Sequence, residues 1–232
     1  MLNPIFIKGI SLPDVWFQLV YRILEDDIHT FKIDKGSYAG ETRKEFDYVT
    51  IQIEKPWLRD NEGRPLVPEF PEGCSIPPPV EKDYPGQYAA KYLMSPYVAQ
   101  GELYTYGSRL FQSLFNSKCQ VDRVIDTFRT YGYRNNQMIL TIGLPTDLLL
   151  DDPPCLRSID LRIQDNKLHF FPYFRSWSLW GGLPANLAGL SILQEYMAAE
   201  IGVSQGEMIC SSKGLHLYGF ECDVAKARCL KG

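Results

Sequence analysis

Residues 153–220, PPCLRSIDLRIQDNKLHFFPYFRSWSLWGGLPANLAGLSILQEYMAAEIGVSQGEMICSSKGLHLYGF, decide how the chain is read. Two runs, Leu156 to Ile163 and Lys167 to Phe174, are strand-like and meet at Asp165-Asn166, a dipeptide suited to a tight turn, so they predict an antiparallel hairpin. A long helix follows Pro184, an expected first-turn residue. It carries Leu187, Leu190, Leu193, Gln194, Met197 and Ile201 before Gly202 stops it. Met208 to Ser212 and Leu215 to Tyr218 supply the last strands.

Upstream, Ser11 with Asp14 three residues on caps an amphipathic helix whose stripe is Leu12, Val15, Trp16, Leu19, Val20, Ile23 and Leu24. Tyr48 to Ile53 alternates, is rich in β-branched residues and is closed by Pro56, so it predicts a strand. Trp57 to Pro85 is dense in Pro, Gly and charge and predicts a long ordered loop. Helices are expected over Gln87 to Val98 and Val121 to Tyr131, with Gly101 to Gly107 between them, and a strand over Met138 to Ile142.

The chain has 232 residues, 45% of them hydrophobic, enough for one large core and one domain over 1–232. A net charge of -4 disfavours non-specific binding to nucleic acid or anionic membranes, so an anionic ligand needs a local arginine cluster. No apolar run approaches the roughly 20 residues that span a bilayer, and Met1 to Ile10 is too short for a signal segment, so a cytoplasmic protein is expected. The six cysteines are scattered without CxxC spacing and the three histidines stand far apart, so free thiols and no metal site are expected.

Within the opening stretch a thiol, a guanidinium, an amide and a His/Tyr pair come in order. Cys155 stands at a strand entrance, and the antiparallel return of the hairpin brings Arg175 beside it, where a guanidinium favours thiolate. Arg175 with Ser176 has the fork and the extra hydroxyl that suit a phosphate. Taken alone, Cys155 reads sooner as a small buried hydrophobe and Arg175 as a surface ion-pair partner. Asn186 offers one donor and one acceptor, the complement of a uracil edge, or else it caps the helix. His216 and Tyr218 share a strand face and could grip a ribose hydroxyl or simply pack. Tyr104 and Tyr106 share a face in the same way.

The same stretch resembles the thymidylate synthase family of the flavin-independent, cysteine-nucleophile type, closest to its short archaeal form; "GSYAGETRKEFDYVTIQIEKP" (36–56) and "GELYTYGSRLF" (101–111) resemble it more weakly. The resemblance implies an α+β fold, a mixed β-sheet packed by helices, with one sheet face used for dimerisation. It implies a Cys155 nucleophile that adds to carbon 6 of dUMP, and phosphate ligands at Arg175 and Ser176. Asn186 would read the base, His216 and Tyr218 would hold the deoxyribose, and Tyr106 would organise water. Arg134 is the counterpart of an arginine that crosses to the partner's phosphate, with Asn135-Asn136 where a second arginine usually stands, and Arg43 is a further phosphate ligand. Ser178, Trp180 and Gly182 fall on the side of the reduced pterin, a methylene-tetrahydrofolate or methylene-tetrahydromethanopterin-type donor. Four departures stand out: Leu156 follows the nucleophile in place of His, Ser178 replaces a pterin-contacting Asp, the sequence ends at Gly232 without the segment that closes over folate in longer members, and no residue upstream matches the catalytic glutamate, for which Glu81 and Glu102 are the candidates. The alternatives are a pyrimidine hydroxymethylase of the same fold, in which water replaces hydride, and a non-catalytic nucleotide-binding homologue.

Overall fold

The computed structural model of the chain describes residues 1–25, 28–34, 38–71, 73–74, 76–114 and 117–229. Glu72 and Ser75 of the expected 57–85 loop, Gly36 and Ser37 of the resembling segment, and residues 230–232 of the tail lie outside them.

The chain opens with a strand that the sequence reading did not foresee, β1 (Pro4–Gly9), whose PIFIKG alternation is short but strictly two-sided. Helix α1 (Leu12–Glu25) buries the expected stripe from Leu12 to Ile23, with Leu24 half-buried, and Ser11 caps it, its Oγ accepting from the Asp14 N–H at 3.4 Å. Two short strands, β2 (Thr30–Lys32) and β3 (Thr42–Glu45), were also unforeseen, while β4 (Tyr48–Ile53) matches its expected span. The helix expected over Gln87 to Val98 starts earlier, as α2 (Tyr84–Tyr88), because Pro85 suits a first turn. It continues as a π turn over Ala89–Leu93 and ends by Met94, since Ser95 precedes Pro96 and is pushed out of the helical region. Tyr104 and Tyr106 do not share a strand: Thr105 N-caps α3 (Tyr106–Leu110).

Helix α4 (Gln120–Tyr131) and strand β5 (Ile139–Thr141) fall where expected. The hairpin is β6 (Leu156–Gln164) and β7 (Lys167–Phe174), with Asp165 and Asn166 at φ 50° and 57°, the paired positive angles of a two-residue hairpin turn. After a two-residue strand, β8 (Trp177–Ser178), α5 (Gly182–Ile201) begins two residues before Pro184 and ends at Gly202 with φ 89°. Strands β9 (Ser204–Ser212) and β10 (Leu215–Tyr218) close the sheets. The expected short tail is instead helical, α6 (Gly219–Cys229).

The large sheet has the order β1-β4-β9-β7-β6-β5 and is mixed: β1 with β4 and β7 with β9 are parallel, the other pairs antiparallel. The small sheet has the order β2-β3-β10-β8. One hydrophobic cluster extends from Ile5 to Cys229, with α5 buried along its length through Leu183, Leu187, Leu190, Leu193 and Met197. Such a helix, apolar nearly all round, belongs at the centre of the layers. The architecture is α+β, a mixed sheet packed by helices. Among the described residues no helix is long and apolar enough to cross a membrane.

Candidate active site

Cys155 lies one residue before β6, where the hairpin places Arg175 opposite it, and the Arg175 N–H donates to the Cys155 carbonyl at 2.9 Å. A register shift between Leu156 and Ser158 kinks β6 immediately after the thiol, as bulges do where a strand end is re-aimed. Burial pushes the half-buried thiol's pKa up; the Arg175, Arg43 and Arg157 guanidiniums oppose the shift and Asp152 adds to it. Arg175 thus acts in the expected direction, but burial wins. Its guanidinium is partly occupied, by the Pro154 carbonyl at 3.2 Å, the Asp152 carboxylate at 3.2 Å and the Pro153 carbonyl. Ser176 sits half-buried at the turn into β8, and the neighbouring Trp177 N–H donates to the Gly214 carbonyl at 2.8 Å.

Tyr106 is buried at the start of α3, and its hydroxyl accepts from the Leu156 N–H at 3.2 Å, one residue from the thiol. Burial and the neighbouring Cys155 hold its phenol protonated. Tyr104 is also nearby, donating to the Asp152 carbonyl at 3.0 Å.

On β10, His216 and Tyr218 share a face as expected, with ring centroids 4.8 Å apart and planes nearly perpendicular. His216 is 2% exposed; its Nδ1 meets the Gly214 carbonyl at 2.9 Å, while Nε2 is buried without a hydrogen-bond partner. A carbonyl can only accept, so Nδ1 carries the proton and Nε2 is a bare acceptor. Burial brings the pKa down to about 4, with Arg43 acting the same way and the Gly214 bond against it, so the ring is neutral. Arg43 stands across the strand pair from Tyr218 in β3, joined to Glu45 in an ion pair and 5.2 Å from the Phe31 ring centroid. Tyr218 stacks between Tyr38 at 4.3 Å and Phe220 at 5.7 Å.

Asn186 is the fifth residue of α5 and not its cap, which is Gly181. Its amide bridges two side chains: Oδ1 accepts from Trp177 Nε1 at 2.9 Å and Nδ2 donates to the Tyr88 hydroxyl at 2.9 Å. Beside it opens a cavity of about 390 Å³ lined by Glu81, Tyr84, Tyr88, Gly181, Gly182 and Asn186, among others. Tyr84, Tyr88 and Tyr92 form a stacked ladder, with centroid separations of 6.3 and 5.7 Å, and Tyr92 meets Tyr106 edge-on at 5.1 Å. This ladder connects the Asn186 cavity to the Cys155 end.

The residues expected on the pterin side divide. Gly182 lines the cavity, whereas the Trp180 ring packs into a cluster with Trp16 at 5.1 Å and Phe70 at 6.2 Å. Ser178 donates to Glu221 at 3.4 Å, and Glu221 in turn accepts from the Tyr218 N–H at 2.9 Å; burial raises the Glu221 pKa. Of the two glutamates considered, Glu81 reaches the Asn186 cavity, while Glu102 is exposed and accepts from the Ala99 N–H at 3.2 Å. Arg134 is not brought to Cys155 within the chain: it lines an open cavity of about 700 Å³ with Arg162 and Gln164. That is the far end of β6, about 23 Å from the thiol at strand rise. Tyr88, Tyr92, Trp177 and Glu221 escaped the sequence reading, although the spacing of four between Tyr84, Tyr88 and Tyr92 was a legible helical face.

The family profile "Thymidylate synthase" matches residues 87–231. A protein of Methanosarcina acetivorans bearing the name "Putative thymidylate synthase" is 34% identical over 220 residues, 95% of this chain and 92% of its own length. One of the same name from Methanothermobacter thermautotrophicus is 26% identical over 214 residues, 90% of each. The thermostable thymidylate synthase A of Bacillus subtilis has the same fold, with a TM-score of 0.66 at 18% identity over 94% of this chain and 83% of that one. The chain belongs to the thymidylate synthase family and is an enzyme of that type.

Proposed function

We propose that the enzyme methylates dUMP at carbon 5 to give dTMP, using a methylene-tetrahydropterin of folate or methanopterin type, through a covalent Cys155 adduct. The observation that carries the reading is the convergence of Cys155, Arg175, Arg43, Tyr106, His216 and Tyr218 on one strand-end cluster. Arg175, with Ser176 and Arg43, supplies the positive end for a phosphate; a dianion there would also displace the Asp152 contact. The bare Nε2 of His216 suits a sugar hydroxyl as donor. The Cys155 sulfur forms a bond to carbon 6, which makes carbon 5 nucleophilic; carbon 5 accepts the one-carbon unit and loses its proton to water held by Tyr106. The methylene's bond to the donor nitrogen breaks, a hydride from the donor reduces the exocyclic methylene to a methyl group, and the sulfur–carbon 6 bond breaks with its electron pair returning to the Cys155 thiolate.

The donor supplies the methylene and the hydride. Its planar ring fits the cavity of about 390 Å³ beside Asn186, walled by Tyr84 and Tyr88 and floored by the side-chain-free Gly181 and Gly182. The six free thiols suit a reducing compartment, the cytoplasm. A second copy covers the open sheet face, where Phe6, Tyr48 and Ile139 are exposed, and the Arg134 at its end serves the partner's phosphate.

Intact mass after incubation with 5-fluoro-dUMP and a methylene donor tests the chemistry. The expected result is a covalent adduct that is absent in Cys155→Ser; no adduct with either class of donor overturns the reading. The mass of the product from dUMP separates a methyl from a hydroxymethyl group.

A further inference from the structure

We propose that Arg157, held at the bulge of β6 by the buried Asp147, is a positioning residue that supplies the unneutralised positive charge favouring the Cys155 thiolate; this rests on reading Cys155 as the nucleophile. A thiol attacks as its thiolate, and in a half-buried setting nearby cations must favour that charged form. Proximity alone does not make a cation effective, because a guanidinium paired with its own carboxylate acts as a dipole more than as a charge. The guanidinium that keeps charge to spare decides the field at the sulfur.

The ion pairs separate the three guanidiniums that act on Cys155. Arg175 meets the Asp152 carboxylate at 3.2 Å and Arg43 meets Glu45, one carboxylate for each. Arg157 has to share: Asp147 meets Arg157 Nη1 at 3.3 Å through Oδ2 and Arg109 Nη2 at 2.9 Å through Oδ1. Two guanidiniums on one carboxylate leave one positive charge over. The shorter contact is to Arg109, so the surplus lies towards Arg157. The other titratable groups that face the sulfur are the phenols of Tyr92, Tyr104, Tyr106 and Tyr218; burial raises the pKa of each, so they bring no charge at neutral pH.

The backbone aims Arg157 at this place. Leu156 pairs with Phe174 and Ser158 with Tyr173, so Arg157 is the extra residue of the bulge, two positions from the thiol. Its carbonyl accepts from the Ile142 N–H at 3.0 Å and the Gly143 N–H at 2.8 Å. Its guanidinium lies against Gly143, where a Cβ would come within 2.5 Å of it, so glycine leaves the slot open. Asp147 is 2% exposed and is fixed in turn by the Leu144 N–H, which donates to Oδ2 at 2.7 Å. Arg109 comes from α3, the helix that begins at Tyr106, whose hydroxyl accepts from the Leu156 N–H. The shared carboxylate thus ties β6, the turn at Pro145–Leu149 and α3 together around the thiol.

Alkylation of Cys155 by iodoacetamide, resolved by peptide mass and followed across pH in the full chain, tests the proposal. It needs neither nucleotide nor donor, so it succeeds or fails separately from the adduct experiment that tests the nucleophile reading. Arg157→Gln should move the profile to higher pH and slow alkylation at neutral pH about threefold, with the plateau at high pH unchanged. The effect is moderate because the Arg157 side chain is 26% exposed and is screened in part. Arg157→Lys keeps the charge and should restore most of the wild-type profile. A role confined to holding the strand end would change the plateau and leave lysine no better than glutamine. That result, or an unmoved profile in Arg157→Gln, overturns the proposal. In the wild type, added salt should move the profile to higher pH as the surplus charge is screened; a move to lower pH overturns the proposal even if the variants do not fold.

Discussion

The Cys155 end and the Asn186 end of the site are built in opposite ways. At the first, functional groups project from strand ends placed by backbone pairing: Leu156 opposite Phe174, and His216 opposite Glu45. At the second, the wall comes from a short helix and a π turn, and its order is held by side chains, through Tyr88, Asn186 and Trp177. Strand ends place charge reliably because their geometry is inherited from the sheet. A tyrosine wall depends on the close approach of neighbouring side chains.

The largest effect expected from breaking this contrast is at His216. Its folded pKa of about 4 lies below the ordinary 6.5, so below pH 6.5 the unfolded chain takes up a proton that the folded ring refuses. The stabilisation is complete above pH 6.5 and is lost as pH falls towards 4, by up to about 3 kcal/mol. Urea unfolding across that range should show the slope, and His216→Gln should flatten it. A variant with the same slope as the wild type would mean that another group titrates.

Next comes Arg175→Ala, which on the proposed function removes a charge-assisted contact to the phosphate and should weaken dUMP binding about 10- to 100-fold. It should also raise the Cys155 pKa further, since Arg175 is the leading influence against burial. The pH profile of iodoacetamide alkylation reads that shift, and a profile moved to lower pH would contradict it.

The smallest effect is expected at the other end, from Gly189→Ala. Alanine improves helix propensity by up to about 1 kcal/mol, but its Cβ would meet the buried Tyr88 ring at 2.6 Å. Overpacking of this kind costs about 1–3 kcal/mol, so a net loss of about 1 kcal/mol is expected in the urea midpoint. A gain in stability would show that the wall yields easily.

The sequence was most legible where periodicity and turn chemistry agreed. The Asp165-Asn166 hairpin, the α1 stripe and the Gly202 stop all fall where the residues put them, and with the hairpin came the meeting of Cys155 and Arg175. Strands β1, β2, β3 and β8 were missed; β2, β3 and β8 run two to four residues and find their place only by pairing with distant strands. The Tyr88–Asn186–Trp177 bridge spans 98 positions in sequence on one side, and no local pattern encodes such a contact. Likewise, the balance between burial and Arg175 at the thiol depends on surroundings that a linear reading does not contain.

The place of β9 in the large sheet has a consequence for how the chain is made. It is the ninth strand in sequence among the described residues, yet it lies between β4 and β7 and joins the N-terminal pair to the hairpin. Until residues 204–212 have left the ribosome, β4 and β7 each present an unpaired edge, and the earlier part of the chain has no complete sheet to settle on. Closing ladders that join Val49 to Ser212 is slow because of the intervening loop entropy. The nascent protein therefore waits for β9, and through that interval its exposed edges invite pairing with other chains.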